Sequence, residues 1–141
     1  MFNIAVILGT RPEAIKFAPL ILAAGADKDL VLTVISTGQH REMLDSTLQC
    51  FGIVPDIDLK IMREKQKLSG VTARVLLGLT MVCEGKKIDA ILVHGDTATT
   101  MAAALFAFQN RITVVHVEAG LRSGHLYSPF PEEGNRRLVA Q

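Results

Sequence analysis

Residues 90–117 read AILVHGDTATTMAAALFAFQNRITVVHV, and this stretch decides the fold. The apolar run Ala90–His94 has the length of a strand, and a Gly-containing turn follows it. Ala98–Asn110 carries the composition of a buried helix, and Ile112–Val117 is a second apolar run. Strand, helix and strand without a hairpin signal make a β-α-β unit, whose strands are parallel.

Working outward, the same alternation extends over the chain. Asn3–Leu8 and Val31–Ser36 read as strands, and Asp56–Ile61 as a short one. Pro12–Ala24 reads as a helix with Ala14, Phe17, Ala18, Ile21 and Leu22 on one face, although Pro19 should bend it. Arg41–Phe51 and Val71–Glu84 are further helices, and another begins at Glu132. A doubly wound parallel α/β sheet is the expected architecture.

Composition agrees. Of 141 residues, 49% are hydrophobic and only 5% aromatic, so the apolar mass is Val, Ile, Leu and Ala, as a sheet covered on both faces requires. One domain with a real core is expected. A formal net charge of +1 gives no global attraction to nucleic acid or membrane, so anion binding must be local. Cys50 and Cys83 lack metal-site spacing and are expected to be reduced core thiols of a cytoplasmic protein. The N-terminus shows no basic signal-peptide region. Gln141 falls inside an apparent helix without a C-cap Gly, from which we expect the domain to belong to a longer protein.

Polar, Gly-containing sequences cluster at the carboxyl ends of the strands, where open parallel sheets bind ligands: Gly9-Thr10-Arg11, Thr37-Gly38-Gln39-His40, His94-Gly95-Asp96-Thr97 and Glu118 to Arg122. The GTRPE turn is neither a dinucleotide fingerprint nor a phosphate loop, yet its helix-start N–H groups are suited to an anion. Arg11 and Lys16 add charge there; their structural alternatives are a salt bridge to Glu13 and a solvated helix face. His40 either contacts ligand or caps the next helix. Asp96 either works in the site or N-caps a helix, with Gly95 allowing close backbone approach. Glu118 ends an apolar strand, where burial would raise its pKa and suit it to proton transfer; its alternative is a salt bridge to Arg122. His116 reads as a satisfied strand histidine. Glu132 starts a helix after Pro129-Phe130-Pro131, a place glutamate also takes for dipole reasons, and Glu133 is the more ordinary of the pair.

Four segments, GTRPEAIKFAPL, TGQHREML, VHGDTATT and HVEAGLRSGHLYSPFPEEGNRR, resemble in order and spacing the motifs of the non-hydrolysing UDP-N-acetylglucosamine 2-epimerases. The resemblance implies the N-terminal Rossmann-like half of a GT-B fold, residues 1–141, acting with a nucleotide-binding C-terminal domain that supplies a further catalytic His. It implies interconversion of UDP-GlcNAc and UDP-ManNAc by anti elimination of UDP, through a 2-acetamidoglucal, with no redox cofactor and no metal. Carried over to this sequence, Asp96, Glu118 and Glu132 are the catalytic carboxylates. Arg11, Lys16 and Arg136 match the family's basic active-site residues; His40 stays a substrate-binding candidate on its position alone. Residues 63–68 correspond to a region that, in bacterial relatives, helps bind a second, activating UDP-GlcNAc, with Gln39 and Glu42 nearby as regulatory candidates. A cytoplasmic homodimer serving surface-polysaccharide synthesis is the implied setting. The sequence departs from the pattern at His125 (usually acidic or amide), at Gly134 (commonly Ala), and at residues 63–68, which lack the Gly usual before the Gln. Three rival readings remain: a hydrolysing 2-epimerase, a GT-B glycosyltransferase, and an inactive sugar-nucleotide-binding fragment.

Overall fold

The computed structural model describes residues 1–141. Five strands, β1 (Phe2–Leu8), β2 (Leu30–Ser36), β3 (Ile57–Asp58), β4 (Ala90–His94) and β5 (Thr113–Val117), alternate with helices α1 (Arg11–Ala26), α2 (Arg41–Cys50), α3 (Leu68–Cys83) and α4 (Ala98–Gln109), and α5 (Glu132–Val139) closes the chain. All strand pairs are parallel, in the order β3-β2-β1-β4-β5. The chain leaves β1 in one direction through β2 and β3, then returns to the other side of β1 for β4 and β5. That reversal between β1 and β4 is a topological switch point.

Alternation within each strand explains the continuous apolar runs. On β1, Ala5 and Ile7 join α3 and α4 in one core, while Val6 and Leu8 join α1 and α2 in another. Ile91 and Val93 of β4 face the first core, and Leu92 packs on the second. Both faces are therefore covered, and most strand side chains are apolar. Four alanines of α4 (Ala98, Ala102, Ala103 and Ala107) let it lie close on the sheet beside α3.

The doubly wound expectation holds, with differences in detail. The third strand shrinks from Asp56–Ile61 to Ile57–Asp58. Helix α3 starts three residues earlier than its apolar pattern, at Leu68. Pro19 does not divide α1, which continues to Ala26. Leu22 is not on the buried face of α1 but 53% exposed; Glu13 is buried instead. Cys50 is exposed at the end of α2, so only Cys83 is a core thiol, with burial raising its pKa. No helix is long and apolar enough to cross a membrane.

Candidate active site

The turns after β1, β4 and β5 meet at the switch point around a cleft of about 460 Å³. Its lining includes Thr10, Glu13, His94, Asp96, Glu118 and Arg136. Gly95 turns the chain out of β4 with φ +69, a conformation open to glycine at little cost. Thr97, not Asp96, caps α4, accepting from the Thr100 N–H at 3.1 Å. Asp96 is thereby free of capping duty. Its carboxylate pairs with the Arg136 guanidinium, and its carbonyl accepts from Asn135 Nδ2 at 2.7 Å. Helix α5 thus reaches back to fix the Asp96 turn.

Glu118 corrects two expectations. Its side chain is 56% exposed, and its pKa is lowered rather than raised. The chief cause is Lys16, whose Nζ lies 3.1 Å from Oε1; His94 adds to it. Nε2 of His94 approaches Oε2 to 2.8 Å, close but not aligned for a hydrogen bond. The anticipated Arg122 partner turns away and donates to the carbonyls of Ala119 and Leu121. The strand ends at Val117, and Glu118 after it takes a left-handed backbone at φ +56 and so leaves the buried sheet. His94 packs edge-on against Phe17, and His116 Nε2 contacts the Gly95 carbonyl at 2.6 Å, in keeping with a strand histidine held in structure.

Glu13 is the residue that sequence reasoning missed. Far from pairing with Arg11, it is 1% exposed. Its Oε2 accepts from the Gly9 N–H at 2.6 Å and the Thr10 N–H at 2.8 Å, and its Oε1 from the Thr97 hydroxyl at 2.5 Å. Those two N–H groups are therefore not open to an incoming anion. Gly9 is obligatory for another reason: a Cβ there would lie 2.2 Å from Thr37 Oγ1 and 2.7 Å from Thr99 Oγ1.

The other sequence candidates divide. Lys16 is not a merely solvated face, because it joins Glu118. Arg11 is exposed at the first position of α1, above the cleft-lining Thr10 and Pro12. Glu132 opens α5 as expected, with Oε2 buried and unpartnered, though it does not line the cleft. Glu133 is fully buried and accepts from the Ser123 N–H and from Arg137 Nε, each at 2.8 Å, which depresses its pKa. It is a loop anchor. His40 stands at the cap position of α2 but makes no side-chain cap bond. Gln39 Oε1 accepts from Thr99 Oγ1 at 2.9 Å, and Glu42 is exposed in the first turn of α2, outside the cleft.

A family model for UDP-N-acetylglucosamine 2-epimerase matches residues 22–141. The chain belongs to the UDP-N-acetylglucosamine 2-epimerase family. A UDP-N-acetylglucosamine 2-epimerase of Yersinia pestis is 56% identical over 137 residues, covering 97% of this chain and 36% of the relative. Among solved members of the family, the UDP-GlcNAc 2-epimerase from Neisseria meningitidis bound to UDP-GlcNAc superposes with a TM-score of 0.94 at 50% identity. That match spans 99% of this chain and 38% of the other. The Methanocaldococcus jannaschii enzyme, solved with UDP-GlcNAc and UDP, gives 0.90 at 35% identity over 98% of this chain and 38% of its own. The chain spans about 36% of the length of the curated relatives it matches.

Proposed function

We propose that this chain is the N-terminal Rossmann-like half of a UDP-GlcNAc 2-epimerase of GT-B architecture, and that its cleft holds the sugar of UDP-GlcNAc or UDP-ManNAc. One observation carries the reading. Buried polar atoms of Thr10, Glu132 and Arg136 lack protein partners, and two of those residues line a cleft that also presents Asp96 and Glu118. Buried polar groups without partners are uncommon, and together these suit a ligand rich in hydroxyl, amide and anionic groups.

The C2 proton of the sugar is weakly acidic, so its removal requires a positioned base. Glu118, paired with Lys16 and with its pKa lowered, is an ionised carboxylate able to accept a proton. Asp96 is oriented by Arg136, and Glu132 lies one helical turn from Arg136 on α5. As UDP departs, the electrons of the C1–O bond leave with it, and the C2–H pair becomes the C1–C2 double bond of a 2-acetamidoglucal. Readdition of UDP with proton return to the opposite face of C2 gives the epimer. Arg11 and Lys16, exposed at the rim, suit the diphosphate charge. No step of this scheme calls for a redox cofactor or a metal ion.

The remaining setting is part of the same proposal. Two free thiols suit a reducing compartment, hence the cytoplasm. Leu77 and Met81 of α3 and Phe108 of α4 are exposed and offer apolar surface for a homodimer.

The decisive experiment incubates UDP-GlcNAc in deuterated water with a protein carrying this chain and the second domain. Deuterium at C2 of both epimers is the expected result. Product without label would exclude the mechanism. Free ManNAc accumulating with UDP would mark the hydrolysing branch, and sugar transfer without exchange a glycosyltransferase.

A further inference from the structure

Glu13 has no part in the reaction just described, yet it is a buried carboxylate whose oxygens join two of the cleft's three turns. Oε2 takes the N–H groups of Gly9 and Thr10 after β1, and Oε1 takes the hydroxyl of Thr97 after β4. Thr97 follows Asp96 directly. Its single hydroxyl proton goes to Glu13, which leaves an oxygen lone pair for the Thr100 N–H and so couples the link to the cap of α4. On the other side, Asp96 is held by Arg136 and Asn135 of α5. The Asp96 turn is thus clamped between α1 and α5.

The geometry points to Glu13 as a positioning residue for Asp96, acting through the Thr97 hydroxyl and not by touching substrate. This rests on the reading of the cleft as the epimerase site. The role requires a carboxylate. Oε2 faces two N–H donors, and Oε1 faces the Thr97 hydroxyl at 2.5 Å with the Thr100 hydroxyl farther off at 3.3 Å, so both oxygens must accept. A glutamine presents an NH2 group to one of those sides whichever way its amide is turned, and one turn is then released. Aspartate is a methylene too short to span both turns. The first turn is also filled by its own anion, which directs the diphosphate elsewhere in the cleft.

The test uses the full-length enzyme and four variants: Glu13→Gln, Thr97→Val, Thr97→Ser and the Glu13→Gln/Thr97→Val pair. Steady-state epimerisation and C2 deuterium incorporation are measured on protein whose folding is checked by thermal melting. Glu13→Gln and Thr97→Val are each expected to lower kcat by about tenfold or more, since a small misplacement of a reacting group is costly, with KM changed by less than about threefold. Thr97→Ser, which keeps the hydroxyl, recovers kcat to within about threefold of the parent. The double variant is no slower than the slower single one, because both remove the same link. Thr97→Val with the parent kcat, losses confined to KM, or losses that multiply in the double variant would each overturn the proposal. If Glu13→Gln does not fold, the Thr97→Val and Thr97→Ser pair decides alone. A parent enzyme that places no label at C2 sinks the epimerase reading and this one with it. A labelling parent with an indifferent Thr97→Val sinks this one only.

Discussion

Glu118 keeps its charge because Lys16 and His94 flank its two oxygens, and this makes its titration predictable. Removing the larger influence, as in Lys16→Met, lets the pKa of Glu118 rise back toward 4.5. The acid limb of the kcat/KM profile of the full-length enzyme should therefore move to higher pH; an unmoved limb would separate Glu118 from the rate. Glu118→Gln should lower kcat by about 10²–10⁴-fold with folding retained, the range typical of a lost proton-transfer group. Linkage adds a stability consequence. Glu118 and Glu133 are both depressed below 4.5 in the folded state, so what they contribute is present above that pH and is lost as pH falls through their folded values. Melting temperature should drop on acidification, and Glu133→Gln should flatten that drop. The acids Asp96, Glu118 and Glu132 were visible in sequence because each sits where a strand or proline ends. Glu13 was not recognised, although Thr10-x-x-Glu13 carries the capping-box spacing that could have revealed it. Within that box Glu13 accepts from the Thr10 N–H at 2.8 Å.

At the scale of elements, junctions matter more than interiors. The strands and their order of appearance are legible because β1, β2, β4 and β5 are short, mainly apolar runs, and Gly9, Asp29, Asp89 and Gly95 punctuate the first three. Strand β3 was overextended, since a two-residue edge strand leaves almost no periodic signal. The start of α3 lies before its apolar pattern, where no capping side chain marks it: Lys67 occupies the cap position without a cap bond. Gly9→Ala tests the β1–α1 junction, where the new methyl must displace the buried hydroxyls of Thr37 and Thr99. A loss of about 1–3 kcal/mol on denaturant unfolding is expected, as for overpacking elsewhere. In the interior, Leu79→Ala empties a fully buried position of α3 and should cost about 2–5 kcal/mol.

For the whole molecule, the cleft is lined by the turns after β1, β4 and β5 and by Arg136 of α5, and the relatives carry nearly twice as much chain again. The isolated 141 residues should bind UDP-GlcNAc weakly and turn it over negligibly; robust epimerisation by this chain alone would refute the half-site reading. The expectation that a nucleotide-binding domain faces the cleft rests on the family resemblance, because nothing in the residue pattern states what faces it. The sheet order has a last consequence, for synthesis on the ribosome. β1 is made first but sits at the centre, and the Asn3 N–H waits for Asp89, 86 residues later. At about 5–20 residues per second that wait lasts roughly 4–17 s. Meanwhile the β4-facing edge of β1 is an unpaired, apolar template of the kind that recruits other chains. The strand that ends up at the centre of the sheet is, for those seconds, an open edge on the nascent chain.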